Sequence, residues 1–465
     1  MQLSNEEEDY NLSLSKFESM LKTNKVLFFD SEEFEEIILH YLDMGKAALA
    51  KKALKLALEQ HPKSTGLKLV QVEMLVYDDK LELAEKLLNE LYAIEPTNEE
   101  IYIQKANICS KRDQHEKAVE LLKTALKYTD DYADVYNLIG MEYLFMDNLE
   151  KAKENFIKCL EEDLEDQSAL YNVVYCFEFL DQNQEAIAYL NKYIDKNPYS
   201  EIAWHQLGRL HYGVKEYENA IRAFAYATLL DDEFPGAFME KAKAYERLKK
   251  YEEAIESYSR TIELDDATSY ALLRMGKCYE KLGNKALALK HFNQTVHEDP
   301  LLDKGWIAIT DFYVRQKNYQ KALFFVNKAL AIDNQNHLYW KRYASINKQM
   351  NFFEEAEFGY RKAVEFGETG LETWLFWVDI LQFLGEFESA IQTLLQASEY
   401  FPEENEVEYR LAGLYFMLTQ NTKAKFHLSN ALRLNFDNHI ILEDLFPAVW
   451  TKKMVQNYIA KHKKQ

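Results

Sequence analysis

WHQLGRLHYGVKEYENAIRAFAYA, residues 204–227, is the stretch on which the reading of the whole chain turns. Apolar and small residues three, four and seven apart mark one face of an α-helix. Two such faces occur here, one on each side of a polar run that includes Lys215 and Glu216, so the stretch predicts two helices joined by a turn.

Working outward, Ala220 belongs to a series. Ala50, Ala84, Ala118, Ala152, Ala186, Ala220, Ala254, Ala288, Ala322, Ala356, Ala390 and Ala424 follow one another at 34-residue steps without an insertion. Four residues beyond each alanine stands an apolar or aromatic residue, from Leu54 and Leu88 through Phe224 and Tyr258 to Leu428. Nine before it an aromatic is frequent, as at Tyr41, Tyr143, Phe177, Tyr245, Tyr279, Tyr313 and Tyr415. Sixteen before it stand Phe34, Tyr102, Tyr136, Trp204, Phe238, Trp306, Trp340 and Trp374. Proline closes five units, at Pro62, Pro96, Pro198, Pro300 and Pro402, and stops the second helix of each. A turn register lies between the two helices and holds Gly45, Asp79, Asp113, Asp147, Asp181, Gly283, Asn351 and Gly385, with other polar residues in the remaining units. The fixed alanine lets the two helices of a unit approach closely. A period of this length signals a stack of supersecondary units rather than one enlarged core.

Composition agrees. A chain of 465 residues exceeds what one hydrophobic core usually supports. With only 14 Gly and 7 Pro it has few helix breakers, which favours an all-α protein. The net charge of −22 disfavours general nucleic-acid or anionic-membrane binding. Four cysteines without a CxxC pair fit a reducing, cytoplasmic setting. The start MQLSNEEEDYNLSLS lacks the pattern of a secretory signal, and no run of 18 apolar residues predicts a membrane span.

The residues of 204–227, and again LLRMGKCYEKLGNKALALKHFNQTVHEDP at 272–300, resemble the tetratricopeptide repeat family, with its Trp, Leu-Gly, Tyr, Ala, Phe, Ala and Pro. Twelve units fit, running over 31–438. Lys68 and Glu408 depart from the early aromatic, and His211 and Asn347 from the tyrosine. The resemblance implies a right-handed superhelical solenoid of antiparallel helix pairs, with first helices lining a concave groove and second helices forming the back. Residues 1–30 form an acidic N-terminal segment. Its first 13 residues are expected to be disordered, and 14–30, rich in Phe17, Met20, Leu21, Val26, Leu27, Phe28 and Phe29, should cap the first repeat or fold into the groove. Residues 439–465 read as a terminal capping helix interrupted near Pro447, with a basic tail.

If the family geometry holds, positions 2, 5, 6, 9, 12 and 13 of each unit face the groove. Read there, unit one is acidic, with Glu32, Glu35, Glu36 and Asp43. Units four and five contribute Met141, Leu144, Phe145 and an aromatic ridge, Tyr171, Tyr175 and Phe179, spaced four apart along one helix. Units six to ten contribute Arg209, Lys243, Arg247, Arg274, Lys277, Lys281, Lys304, Arg315, Lys341, Arg342 and Lys348. Eleven cations there face four acids, Glu240, Glu246, Glu280 and Asp311, a local excess of seven positive charges in an acidic chain. Arginine forks suit carboxylates, and aromatics anchor apolar side chains, so the zone points to an acidic or C-terminal peptide segment. The same residues have a purely structural reading, in which the cations pair between adjacent units and the aromatics pack between them.

No GxxxxGK[ST] or GxGxxG turn supports nucleotide binding, and no HExxH or paired Cys/His spacing supports a metal. Cys109, Cys159, Cys176 and Cys278 obey the repeat register and read as small hydrophobes. No cofactor and no catalysis are expected. The Lys and Asn order of the family's two-carboxylate clamp is missing, since Ser345 stands where Lys341 would need an Asn partner, and Asn172 is alone at the register of an asparagine ladder. The expected function is a non-catalytic scaffold or adaptor that binds a protein or peptide. The alternatives are an RNA-associated array using the same cations, which the net charge and the lack of aromatics in the basic zone oppose, and a regulatory subunit of a partner enzyme.

Overall fold

The computed structural model describes residues 13–22, 27–264 and 268–462. The acidic stretch before Ser13, together with Val26, Lys463 and Lys464, lies outside these. The chain divides into two compact units, Met1–Asp232 and Glu233–Gln465.

In the first unit, helices Ser31–Asp43, Thr65–Tyr77, Glu99–Lys111, Tyr132–Phe145, Gln167–Phe179 and Glu201–Gly213 each pack on the helix that follows: Ala47–Gln60, Leu81–Ile94, His115–Ala125, Leu149–Glu162, Asn183–Lys196 and Tyr217–Leu230. In the second unit, Pro235–Arg247, Thr268–Lys281, Asp303–Arg315, His337–Gln349, Leu371–Phe383 and Asn405–Met417 pair in the same way with Tyr251–Glu263, Lys285–Glu298, Tyr319–Ile332, Phe353–Glu365, Phe387–Tyr400 and Asn421–Leu434. The described residues contain no strand. This is the all-α solenoid of antiparallel helix pairs that the 34-residue period implies.

Local chemistry fixes the helix ends. Ser64, Asn98, Asp131, Asp166, Ser200 and Asn336 stand just before first helices and accept the backbone N–H of a residue two or three further on, satisfying donors that helix starts leave open. Pro235 opens the first helix of the second unit, where a missing N–H costs nothing. Within each pair the turn passes through one left-handed residue. All twelve positions of that register, from Gly45 to Thr419, have φ between +55° and +79°. Glycine, aspartate and asparagine at eight of them suit this conformation. Lys215, Lys249, Lys317 and Thr419 adopt it against their intrinsic preference.

The twelve register alanines are all fully buried, as a close helix approach requires. A second pair of positions adjusts volume within each repeat. Gly140, Gly208 and Gly276 sit under Phe156, Phe224 and Phe292, and a Cβ built on each glycine would lie 2.5–2.6 Å from a ring carbon. Where the aromatic is Tyr258 or Tyr360 the facing residue is Ala242 or Ala344. Where it is Leu54, Leu88, Leu190 or Leu394, the facing residue is Ile38, Val72, Val174 or Val378. In these nine repeats large meets small and medium meets medium, whereas in repeats 3 and 12 Leu122 and Leu428 face Ala106 and Ala412.

Four of the early aromatics tie their repeat to the end of the one before it. Tyr102, Trp204, Trp306 and Trp340 donate to carbonyls six residues upstream, those of Pro96, Pro198, Pro300 and Asn334, at 2.8–3.0 Å. Where Glu408 replaces the aromatic, His427 Nδ1 lies 2.8 Å from its carboxylate and holds it. Asn347, replacing a tyrosine, is buried and donates to the Tyr343 carbonyl at 2.9 Å.

At the amino end, residues 13–22 are helical, and Phe17, Met20 and Phe29 are buried with Phe34, Ile37, Ile38 and Tyr41 of the first helix. Leu42 joins this cluster, whereas Leu39 and Tyr77 stay exposed. At the carboxyl end, Ile440–Leu445, Pro447–Trp450 and Lys453–His462 follow the last pair, and Phe446 lies directly over Gly413.

Candidate partner-binding face

The first helices of repeats 4 and 5 carry the aromatic group, within the first unit. Phe145 and Phe179 are 59% and 66% exposed, and Tyr171 and Tyr175 are more than 40% exposed, so these rings are not consumed by packing between repeats. Tyr175 and Phe179 lie 4.4 Å apart between ring centroids, one helical turn from each other, and form a continuous surface. Phe145 stacks on His115, whose Nδ1 lies 2.8 Å from the buried carboxylate of Glu142. Met141 and Leu144 are half-buried beside them. Arg209 approaches Glu178 of the ridge helix at 3.6 Å and donates to Gln206 at 2.8 Å. A separate cavity of about 460 Å³ lies between repeats 1 and 2, lined by Leu54, Leu58, Met74 and Leu75 and rimmed by the Lys51–Asp78 pair.

The other cations named from sequence lie in the second unit, and the structure sorts them. Arg274 grips Glu246 with two donors, Nε to Oε1 at 2.9 Å and Nη2 to Oε2 at 2.5 Å, and Tyr258 donates to the same carboxylate at 2.6 Å. Arg315 pairs with Glu280. Arg342 holds Asp311 with Nε at 2.9 Å and Nη2 at 3.2 Å. Lys243 pairs with Glu240 on its own helix at 2.8 Å. Lys341 reaches Glu368 at 3.4 Å, and Lys348 lies over the Phe376 ring at 4.5 Å. Arg247 is exposed on the last turn of its helix. Lys277, Lys281 and the Lys304 ammonium form no hydrogen bond or ion pair among the described residues.

The pairing of Arg274, Arg315 and Arg342 with acids of the preceding repeat gives these residues an internal role in the stack. Sequence reading missed a fourth such clasp. Arg410, 7% exposed, holds Asp379 at 2.5 Å and Glu406 at 2.9 Å. Its signal was present, because Arg274, Arg342 and Arg410 recur at two-repeat steps. Glu368 was also missed. It lies in the turn that closes repeat 10 and is reached by His337, Lys341 and the Gly370 N–H.

A cavity of about 330 Å³ opens between the first helices of repeats 7, 8 and 9, lined by Glu246, Arg274, Lys277, Lys281, Asp311 and Arg315. Burial pushes Lys277 below the ordinary lysine range, and Arg274 and Lys304 push in the same direction against the pull of Glu246 and Asp311.

Three of the four thiols are withdrawn from solvent, and Cys109 is half-buried. Cys159, Cys176 and Cys278 are buried, and burial raises each above the ordinary thiol range, Cys176 to about 11 and Cys278 to about 12. Among the described residues no group of three or more His, Cys, Asp or Glu is placed to hold a metal ion, and no helix is long and apolar enough to cross a membrane.

Profiles of the Tetratricopeptide repeat family match residues 75–141, 133–166, 168–200, 205–270 and 270–301, and this chain is a tetratricopeptide repeat protein. Proteins of this family are typically scaffolds for protein–protein interaction. Anaphase-promoting complex subunit 3 of Schizosaccharomyces pombe is 25% identical over 157 residues, which cover 34% of this chain and 24% of that relative. Among solved structures, the Cut9–Hcn1 hetero-tetramer of the APC/C aligns over 88% of this chain and 94% of its own, at 14% identity and a TM-score of 0.37. YrrB, described as a TPR protein with an unusual peptide-binding site, aligns over 40% and 95%, at 23% identity and a TM-score of 0.31.

Proposed function

We propose that the protein is a non-catalytic scaffold that binds a partner peptide or protein on the face formed by its first helices. The observation that carries this is the exposed ridge of Tyr171, Tyr175, Phe179 and Phe145. The alanine and the residue four beyond it are absorbed by the stack, whereas these rings are left in water. Exposed apolar surface of this kind is what binding a partner removes from solvent. In the second unit, taken by itself, the cations Lys243, Arg247, Arg274, Lys277, Lys281, Arg315, Lys341 and Arg342 give the first helices a basic character. Those clasped between repeats shape the surface, and Lys277 and Lys281 remain to meet an acidic segment of the partner, a carboxylate being the simplest such group. Arg209 contributes beside the ridge through Glu178. Membership of a relative in a multi-subunit complex is consistent with assembly as the family's use here, and a reducing cytoplasmic setting fits the unpaired cysteines.

The test is affinity capture with wild type and with Tyr171→Ser/Tyr175→Ser/Phe179→Ser, alongside Phe324→Ser, which alters an exposed ring on a second helix. Partners lost from the ridge variant and kept by Phe324→Ser support the proposal. Identical partner sets in all three refute it.

A further inference from the structure

The cavity between repeats 7, 8 and 9 contains an imbalance that the stack does not explain. Its guanidinium groups are committed, Arg274 to Glu246 and Arg315 to Glu280, while Asp311 is held by Arg342. Glu246 also accepts from Tyr258. Once these pairs cancel, the ammonium groups of Lys277 and Lys281 remain. Lys277 is half-buried on the helix Thr268–Lys281, and Lys281 is exposed one turn further on, on the same face. Glu246 and Asp311 attract Lys277 from a distance without bonding to it, and Arg274 and, more weakly, Lys304 of repeat 9 repel it. A half-buried ammonium with no acceptor is costly, and an arriving anion relieves that cost.

We propose that Lys277 and Lys281 bind a phosphomonoester, carried by a phosphoserine or phosphothreonine of the partner peptide. This rests on the reading of the first-helix face as a peptide surface, and names the chemistry of one point on it. A phosphomonoester near neutral pH carries a charge of about −1.5 to −2, which matches two ammonium groups, whereas one carboxylate leaves one of them uncompensated. Donor type points the same way. Planar forks select carboxylates, and here the forks are already occupied. Ammonium groups are compact point charges that suit the three oxygens of a phosphoryl group. The cavity lies at the small end of the range for ligand pockets, about 300–1,000 Å³, and suits one modified side chain.

Titration calorimetry on the full-length chain tests this with the peptide acetyl-Ala-Ala-pSer-Ala-Ala-amide, its serine and glutamate counterparts, inorganic phosphate and a ten-residue oligouridylate. The phosphopeptide is expected to bind about tenfold or more tighter than the glutamate peptide, and the serine peptide not measurably. Its affinity should fall several-fold between pH 7.5 and 5.5, as the phosphate takes up a proton near pH 6. A glutamate ligand, which titrates near 4.3, should bind alike at both. Lys281→Met, at an exposed site, should weaken the phosphopeptide about tenfold, and Lys277→Arg should keep most of the affinity that Lys277→Met loses. Matched circular dichroism melts confirm that the variants fold. Equal binding of the phosphoserine and glutamate peptides, tighter binding of oligouridylate or of free phosphate than of the phosphopeptide, or full phosphopeptide affinity in Lys281→Met overturns the proposal. The outcome is separable from the broader reading, because partner capture lost through the ridge variant stands whether or not the phosphopeptide binds.

Discussion

Gly208 and Phe224 give a quantitative test of how the repeats pack. A Cβ on Gly208 would lie 2.5 Å from Phe224 Cε1, about 1 Å inside the optimal carbon–carbon separation of roughly 3.5–4.0 Å. Phe224 is fully buried, so its ring cannot swing into solvent. Overpacking of this kind costs about 1–3 kcal/mol. Alanine in place of a mid-helix glycine returns about 0.8–1.0 kcal/mol of helix propensity. Gly208→Ala alone should therefore destabilise by about 0–2 kcal/mol, the difference of those two terms. Phe224→Leu alone leaves a gap over the glycine and should cost about 1–3 kcal/mol, below the range for a full truncation of phenylalanine. Combined, the two changes recreate the Ala–Leu pairs of repeats 3 and 12, Ala106 with Leu122 and Ala412 with Leu428. The added methyl then occupies space the ring has left, and the double variant should be more stable than additivity predicts by about 1–3 kcal/mol. Urea unfolding followed by circular dichroism gives the three shifts, and hydrogen exchange of repeat 6 amides confirms that they arise locally. Additivity within about 0.5 kcal/mol would show that the two positions do not compensate each other, and would refute the volume argument.

Three further outcomes follow from particular residues. Thr419 holds φ at +58°, a conformation that costs most non-glycine residues about 1–2 kcal/mol, so Thr419→Asn should raise the unfolding midpoint by up to about 1 kcal/mol equivalent, and an unchanged or lower midpoint counts against strain there. Burial alone would raise the Glu368 carboxyl, but hydrogen bonds from His337, the Gly370 N–H and Lys341 outweigh it and hold the group below the usual carboxylate range. Its stabilisation is therefore complete above the ordinary carboxylate range and lost as pH falls through the depressed folded value, so Glu368→Gln should cost about 1–3 kcal/mol at pH 7 and converge with wild type only once the pH is below that depressed value, whereas a pH-independent difference would contradict the assignment. In native protein a thiol reagent should label Cys109 at most, since the other three cysteines are buried; rapid labelling of more than one would contradict the packing.

The twelve-unit period, the helix faces and the buried alanine could be read from the chain because each rests on spacing, and spacing survives without coordinates. The left-handed turn was only partly legible. Gly45 and Asn351 announce it, but Lys215 and Thr419 adopt it because the helices on either side leave no other path. Pairing was legible least. Arg274 and Arg342 read as groove cations from their register, yet each is turned onto an acid one repeat earlier, and a partner such as Glu368 sits in a turn that the register does not label. The ridge differs, because Tyr175 and Phe179 stand four apart on one helix, and both their mutual contact and their shared face follow from that number alone.

The central claim is that partners bind to the first-helix face, with the cations taking part. Its most direct test is capture by wild type against Arg209→Glu/Lys243→Glu/Lys277→Glu, with bound proteins and RNA both identified and quantified. The account predicts that protein partners are lost or strongly reduced in the triple variant while nuclease treatment leaves wild-type recovery unchanged. Full retention of every protein partner by the triple variant, or wild-type recovery that nuclease abolishes, would contradict it.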